Sequence, residues 1–164
     1  MAFALDPLTW LPNQELFRAR LAQRLAAGEA RQVALMHMDL DRFQDVNDLL
    51  GYDAGDAVLR EAAARIARAL PRGVLLGHFG GDDFAAVVQA AEIACAARLA
   101  RVLLDACRQP FLVDCLSVSI TASVGIALPS GQAPDAAGLM SHAAYALHRA
   151  KVAGRDRCYP ARQK

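Results

Sequence analysis

Between residues 74 and 89, two short apolar runs, VLLGHF and FAAVVQ, are separated only by Gly80, Gly81, Asp82 and Asp83. Two adjacent residues without side chains suit a tight reversal. The runs therefore read as strands 74–79 and 84–89 of one hairpin, with GGDD as its connection. A third run, VALMHMDL at 33–40, is almost unbroken in its apolarity, as expected of a central strand covered on both faces. If the hairpin and this strand are neighbours, Asp39 and Asp82 meet.

The remaining segments read mainly as helices. Asn13 caps a helix starting at Gln14, with Phe17, Leu21 and Leu25 on one face and Gly28 as its stop. Asp41 with Gln44 three residues on resembles a capping box, which predicts a short helix from Arg42 to Gly51. The segment 55–70 carries Leu59, Ala62, Ile66 and Leu70 on one face and ends at Pro71 and Gly73. Residues 91–108 and 135–153 are further helices. Residues 116–128 are β-rich, 129–134 form a loop and 157–160 a last strand. Helices alternating with strands, but interrupted by an adjacent hairpin, predict a mixed or antiparallel sheet with helices packed on it rather than a doubly wound one. With no internal repeat and no low-complexity linker, the chain reads as one domain, 1–164, with a leading segment 6–28 and a main body 33–160.

Composition excludes several classes. At 164 residues with 55% hydrophobic and 21% charged content, the chain buries a real core. A net charge of +1 gives no basis for binding nucleic-acid duplexes. No apolar run approaches a membrane span, and MAFALDPLTW has no basic segment leading into a long apolar one. Cys95, Cys107, Cys115 and Cys158 form no C-x-x-C pair, so they read as reduced cysteines of a cytoplasmic protein.

The carboxylates carry the chemistry. In an extended strand His37, Asp39 and Asp41 project to one side. An unpaired Asp39 at the end of an apolar strand is costly to bury, so it lies exposed, paired with a cation or bound to metal. Asp41 has a simpler role as a helix cap. Carboxylate oxygens of Asp39 and Asp82 suit Mg²⁺ (or Mn²⁺), which binds one or two carboxylates together with substrate phosphates and water. Gly80 and Gly81 let backbone N–H groups approach phosphate oxygens. A hairpin with solvated aspartates accounts for GGDD equally well when the motif is taken alone.

The chain also reads DPLTWLPN at 6–13, DLDRFQDVNDLLGYDAGD at 39–56, HFGGDDF at 78–84, ASVGIA at 122–127 and RAKVAGRDR at 149–157. In that order and at those separations it resembles the GGDEF domain family, whose active members are diguanylate cyclases. The resemblance runs from residue 6 to 159. It implies an α/β (α+β) palm-like fold related to nucleotidyl cyclases, with the signature on a β-hairpin. It further implies Asp39, Asp82 and the main-chain carbonyl of Leu40 as metal ligands, and Asp82, as the proposed general base, and Asp83 as the catalytic carboxylates. Asn47 and Asp56 match guanine-binding positions, Tyr52 a nearby substrate-site position, Gly80 and Gly81 the signature turn, and Lys151 and Arg155 the basic pair at the terminal phosphates. Lys and Arg four apart at a helix end project toward one point. The implied reaction joins two GTP into cyclic di-GMP with release of pyrophosphate, which requires a homodimer. Fused sensor and EAL domains are the family's usual neighbours. A template-directed polymerase shares the palm but fails on size.

Departures from the family pattern are specific. Asp83 replaces the usual Glu, retracting the carboxylate by about 1.5 Å. Gln44 replaces a lysine, Tyr52 a histidine, His78 an arginine, Trp10 a glycine and Ala144 an aspartate. Pro71 and Val74 stand where an inhibitory R-x-x-D would lie, so no product-inhibition site is expected. Intact nucleotide positions with eroded accessories fit two readings: a cyclase weakened at Gln44, His78 and Asp83, or a GTP-binding regulatory and dimerisation module of a larger GGDEF-EAL protein.

Overall fold

The computed structural model describes residues 4–132 and 134–161. Residue 133 of the expected 129–134 loop, and both ends of the 1–164 span, lie outside the described residues. The strands are β1 (Val33–Leu40), β2 (Leu75–His78), β3 (Asp83–Gln89), β4 (Phe111–Val113), β5 (Leu116–Val118), β6 (Ala122–Ala127) and β7 (Cys158–Pro160). The helices are α1 (Gln14–Ala26), α2 (Phe43–Leu50), α3 (Tyr52–Ala69), α4 (Ile93–Arg108) and α5 (Ala136–Val152), with a 3-10 turn at Glu29–Arg31. Five strands form one sheet in the order β2-β3-β1-β6-β7. Only β6 and β7 run parallel, so the sheet is mixed but mainly antiparallel.

β1 sits at the centre, and its apolar run follows from that position. Ala34, Met36, Met38 and Leu40 join a core with residues of α3 and α4 on one face. Val33 and Leu35 join Phe17 and Leu21 of α1 and Leu139 and Ala143 of α5 on the other. On this second face the apolar series gives way to His37 and then Asp39, both only partly buried. The core therefore ends at Leu35 on the α1/α5 side, and the two remaining positions of that face, His37 and Asp39, begin the polar cluster.

Asn13 caps α1 as the sequence implies, its side chain accepting from the Leu16 amide. Three expectations need correction. α3 starts at Tyr52, not 55, because Gly51 (φ 89°, ψ 166°) ends α2 and opens α3 in a single residue. The β-rich segment 116–128 is two strands in different sheets: β5 pairs with β4 in a separate ribbon, and β6 joins the main sheet. β4, three residues long, escaped the periodicity. Arg65 holds the ribbon down, donating to the carbonyls of Gln109 (2.5 Å) and Pro110 (2.7 Å) and lying 3.9 Å over the Phe111 ring.

The third correction concerns Asp41, which caps no helix. α2 begins at Phe43 after Arg42 in a left-handed conformation (φ 55°), with no side-chain cap. Asp41 is instead buried against β6, accepting from the hydroxyls of Thr121 and Ser123, each at 2.6 Å, and from the Asp156 amide at 3.0 Å. It stitches the end of β1 to β6 and to the loop after α5. The four cysteines are free.

Candidate active site

The hairpin and β1 are adjacent antiparallel neighbours, with Asp39 opposite Asp83 and the Leu40 amide donating to the Asp82 carbonyl at 3.3 Å. This register brings Asp39, Leu40 and Asp82 together at one end of the sheet. Burial, and next the neighbouring Asp82 carboxylate, push the Asp39 carboxyl up to about 7, against the opposing pull of Lys151. Lys151, in the last turn of α5, forms an ion pair with Asp39 Oδ2. Asp39 and Asp82 are thus two like-charged carboxylates side by side, one of them paired with an ammonium, and among the described residues no third His, Cys, Asp or Glu joins them as a metal ligand. Hard oxygen donors of this kind fit Mg²⁺.

Gly80 (φ 92°) and Gly81 (φ 53°) are both left-handed, and the space where their Cβ atoms would stand is open. The turn backbone is thus bare to an approaching ligand. Asp83 turns away from the turn: its Oδ1 lies 2.5 Å from His37 Nε2, with the Phe79 ring beside the imidazole. The sequence places His37 on the Asp39 face by alternation, but not against Asp83.

His78 anchors the hairpin from beneath. It is 2% exposed, stacks on Phe84 with ring centroids 4.5 Å apart, and faces an oxygen acceptor with each nitrogen: Asp6 Oδ2 at 2.9 Å from Nδ1 and the Gly81 carbonyl at 2.6 Å from Nε2. Burial raises the Asp6 carboxyl, but His78 and the Thr9 donors outweigh it and hold the group below the ordinary aspartate range. Asp6 also accepts from the Leu8 and Thr9 amides, so D-P-L-T is an Asx turn tied through His78 to the signature.

Asn47 and Asp56 lie on adjoining helices, with the Asn47 amide seated against Gly55 immediately before Asp56. Tyr52 stands exposed at the first position of α3. Lys151 and Arg155 do not share a helix face, since α5 stops at Val152 and Arg155 is left-handed (φ 61°) in the following loop. Arg155 lines a cleft of about 660 Å³ with Asp41, Arg42, Asp45 and Arg108.

The family described as "Diguanylate cyclase, GGDEF domain" matches residues 3–157. The chain belongs to the GGDEF family. It is 39% identical over 153 residues to the bifunctional diguanylate cyclase/cyclic di-GMP phosphodiesterase MucR of Pseudomonas aeruginosa, covering 92% of this chain and 22% of that protein. It is 32% identical over 153 residues to the cyclic di-GMP phosphodiesterase NbdA of the same organism, covering 92% and 20%. Among solved structures, the isolated GGDEF domain of TpbB (YfiN) from P. aeruginosa superposes with a TM-score of 0.89 at 37% identity, covering 96% of this chain and 94% of that one. This GGDEF chain thus spans about a fifth of the length of those two curated relatives. Among the described residues no helix is long and apolar enough to cross a membrane.

Proposed function

We propose that this GGDEF domain condenses two GTP into cyclic di-GMP, releasing pyrophosphate, in a homodimer whose two domains each hold one nucleotide. The observation that carries the reading is the convergence of Asp39 and Asp82 beside the bare Gly80–Gly81 turn. The Asp39 and Asp82 carboxylates and the Leu40 carbonyl would hold Mg²⁺ (or Mn²⁺). Such an ion stabilises the attacking and leaving oxygens of an in-line displacement at phosphorus.

The chain's own residues supply the rest. Gly80 and Gly81 admit the phosphates to the turn, while Lys151 and Arg155 neutralise their terminal charge. Lys151 pairs with Asp39 here and would be free for that role once a divalent ion neutralised the carboxylate. Asn47 and Asp56 offer an amide and a carboxylate to the guanine edge, with Tyr52 close by at the start of α3. Asp82 receives the proton of the attacking 3′-hydroxyl, and Asp83 fixes the hairpin through His37. Antiparallel apposition of two domains brings each 3′-hydroxyl to the other's α-phosphorus, and that proximity is a large part of the acceleration. The domain acts in a cytoplasmic setting within a longer protein that carries sensor or EAL domains; the match to 22% of MucR, named for a second, phosphodiesterase activity, supports the longer protein.

The test is incubation of the purified domain with GTP and Mg²⁺ at a concentration that dimerises it. Cyclic dinucleotide and pyrophosphate are expected together. A second reading, a GTP-binding regulatory module without turnover, is favoured by the Asp83 carboxylate being engaged by His37 and by the phosphodiesterase name of NbdA. GTP binding without product would select it.

A further inference from the structure

Gly55 lies inside α3, where glycine weakens a helix and turn geometry does not require it. Its neighbour explains it. A methyl group at this position would stand 1.8 Å from Asn47 Oδ1, 3.0 Å from Asn47 Cγ and 3.2 Å from Phe43 Cζ. The Asn47 amide therefore occupies the volume that any other residue at 55 would fill. With its oxygen laid on the bare Cα of α3, the amide is fixed in orientation one residue from Asp56.

We infer that Gly55 is a specificity-determining positioning residue: it makes the seat that aims the Asn47 amide, and through it the domain's discrimination of guanine from other bases. This rests on the reading that Asn47 and Asp56 meet the guanine edge. The close contact involves the far end of a side chain, not main chain, so an added methyl group displaces the amide while the helices stay packed. Gly55→Ala is thus expected to keep or raise thermal stability, since alanine is the better helix former, while the aimed hydrogen bond is lost. A glycine needed only for helix packing would behave in the opposite way.

The experiment uses 3′-deoxy-GTP and 3′-deoxy-ATP with Mg²⁺, which bind without the nucleophile needed for turnover. Binding is measured by calorimetry for the wild type, Gly55→Ala, Asn47→Ala and the double variant, with a thermal melt of each. Wild type is expected to prefer the guanine nucleotide. Gly55→Ala is expected to weaken its binding about tenfold, the scale of one lost hydrogen bond, with the adenine nucleotide unaffected. In the Asn47→Ala background, where the clash with the amide is gone and only the Phe43 Cζ contact remains, the methyl group is expected to cost guanine binding nothing more. Guanine preference in Gly55→Ala equal to that of wild type overturns the inference and leaves the functional reading standing. An equal loss with and without Asn47 overturns it too, because the effect then bypasses that amide. A wild type without guanine preference overturns the functional reading, and the inference with it.

Discussion

Lys151 reaches from the last turn of α5 to the carboxylate of Asp39, near the end of the central strand, while Asp82 presses on the same carboxylate from the hairpin. Among the described residues the ammonium is what offsets that pressure, and it falls short: burial and Asp82 together still push Asp39 up to about 7.

The sign of the resulting pH dependence follows from that shift. A carboxyl raised from 3.8 to about 7 on folding binds more protons in the native than in the unfolded state across that window. Its contribution to stability is present below the unfolded value and is lost as pH rises to about 7. In the metal-free domain, the difference in melting temperature between wild type and Asp39→Asn should therefore fall as pH rises from about 5 to about 8. At the upper end, saturating Mg²⁺ should raise the wild-type melting point by about 5–10 °C, and Asp39→Asn should not respond. A wild type that gains on Asp39→Asn with rising pH, or equal Mg²⁺ responses in both, would remove the cation from this site.

Asp82 and Asp83 are neighbours with opposite burdens. The Asp82 side chain is partly buried and crowds a like charge, so Asp82→Ala should leave stability within about 0.5 kcal/mol while lowering turnover by about 10²–10⁴-fold. Asp83 is bound to His37 at 2.5 Å with a side chain 39% exposed. Asp83→Asn should cost about 1 kcal/mol after solvent screening and lower turnover less than Asp82→Ala does. Urea titration and pyrophosphate release read the two effects separately. A destabilised Asp82→Ala would contradict the account of the turn.

His78 should be the costliest polar residue of the hairpin. Its truncation leaves a buried gap beside Phe84, an unpartnered Gly81 carbonyl and an Asp6 carboxylate without its imidazole. His78→Ala is expected to lower the unfolding free energy by about 2–4 kcal/mol. Asp6→Asn, which keeps an oxygen acceptor in place, should cost less. Chemical denaturation of both variants checks the order, and the reverse order would mean that the Asx turn, not the ring, carries the anchoring.

The parts of the fold that follow from local rules were legible. Asn13 as cap, the doubly covered β1 and the glycine hairpin each rest on a residue pattern that tertiary contacts reinforce. The pairing of the hairpin with β1 was stated as a condition, and the register of Asp39 against Asp83 meets it. Failures came where a local rule had a stronger long-range competitor. Asp41 has the spacing of a cap, but the hydroxyls of Thr121, just before β6, and Ser123, on it, and an amide beyond α5 claim its carboxylate. Lys151 and Arg155 have helical spacing, yet the helix ends between them. The links of His78 to Asp6 and of Lys151 to Asp39 join residues far apart in the chain, and no periodicity encodes such contacts.

Gly125 offers the sharpest test of how the frame holds the site. A methyl group there would meet the Ala143 carbonyl oxygen and the Leu147 amide nitrogen of α5, both at 2.2 Å. These are main-chain atoms of a helix, so no side chain can swing aside; α5 must lift from β6 or the strand must shift. Gly125→Ala should cost about 3 kcal/mol or more, seen as a lower urea midpoint at unchanged slope. Because Lys151 lies in the last turn of the same helix, nucleotide affinity should fall with stability. Gly80→Ala is the control: its φ of 92° is strained for alanine, but nothing lies within 4 Å of the added carbon. The cost there should stay at about 1–2 kcal/mol, the strain of one left-handed residue. If Gly125→Ala proved as mild as Gly80→Ala, α5 would not be seated on the sheet as closely as its backbone contacts require.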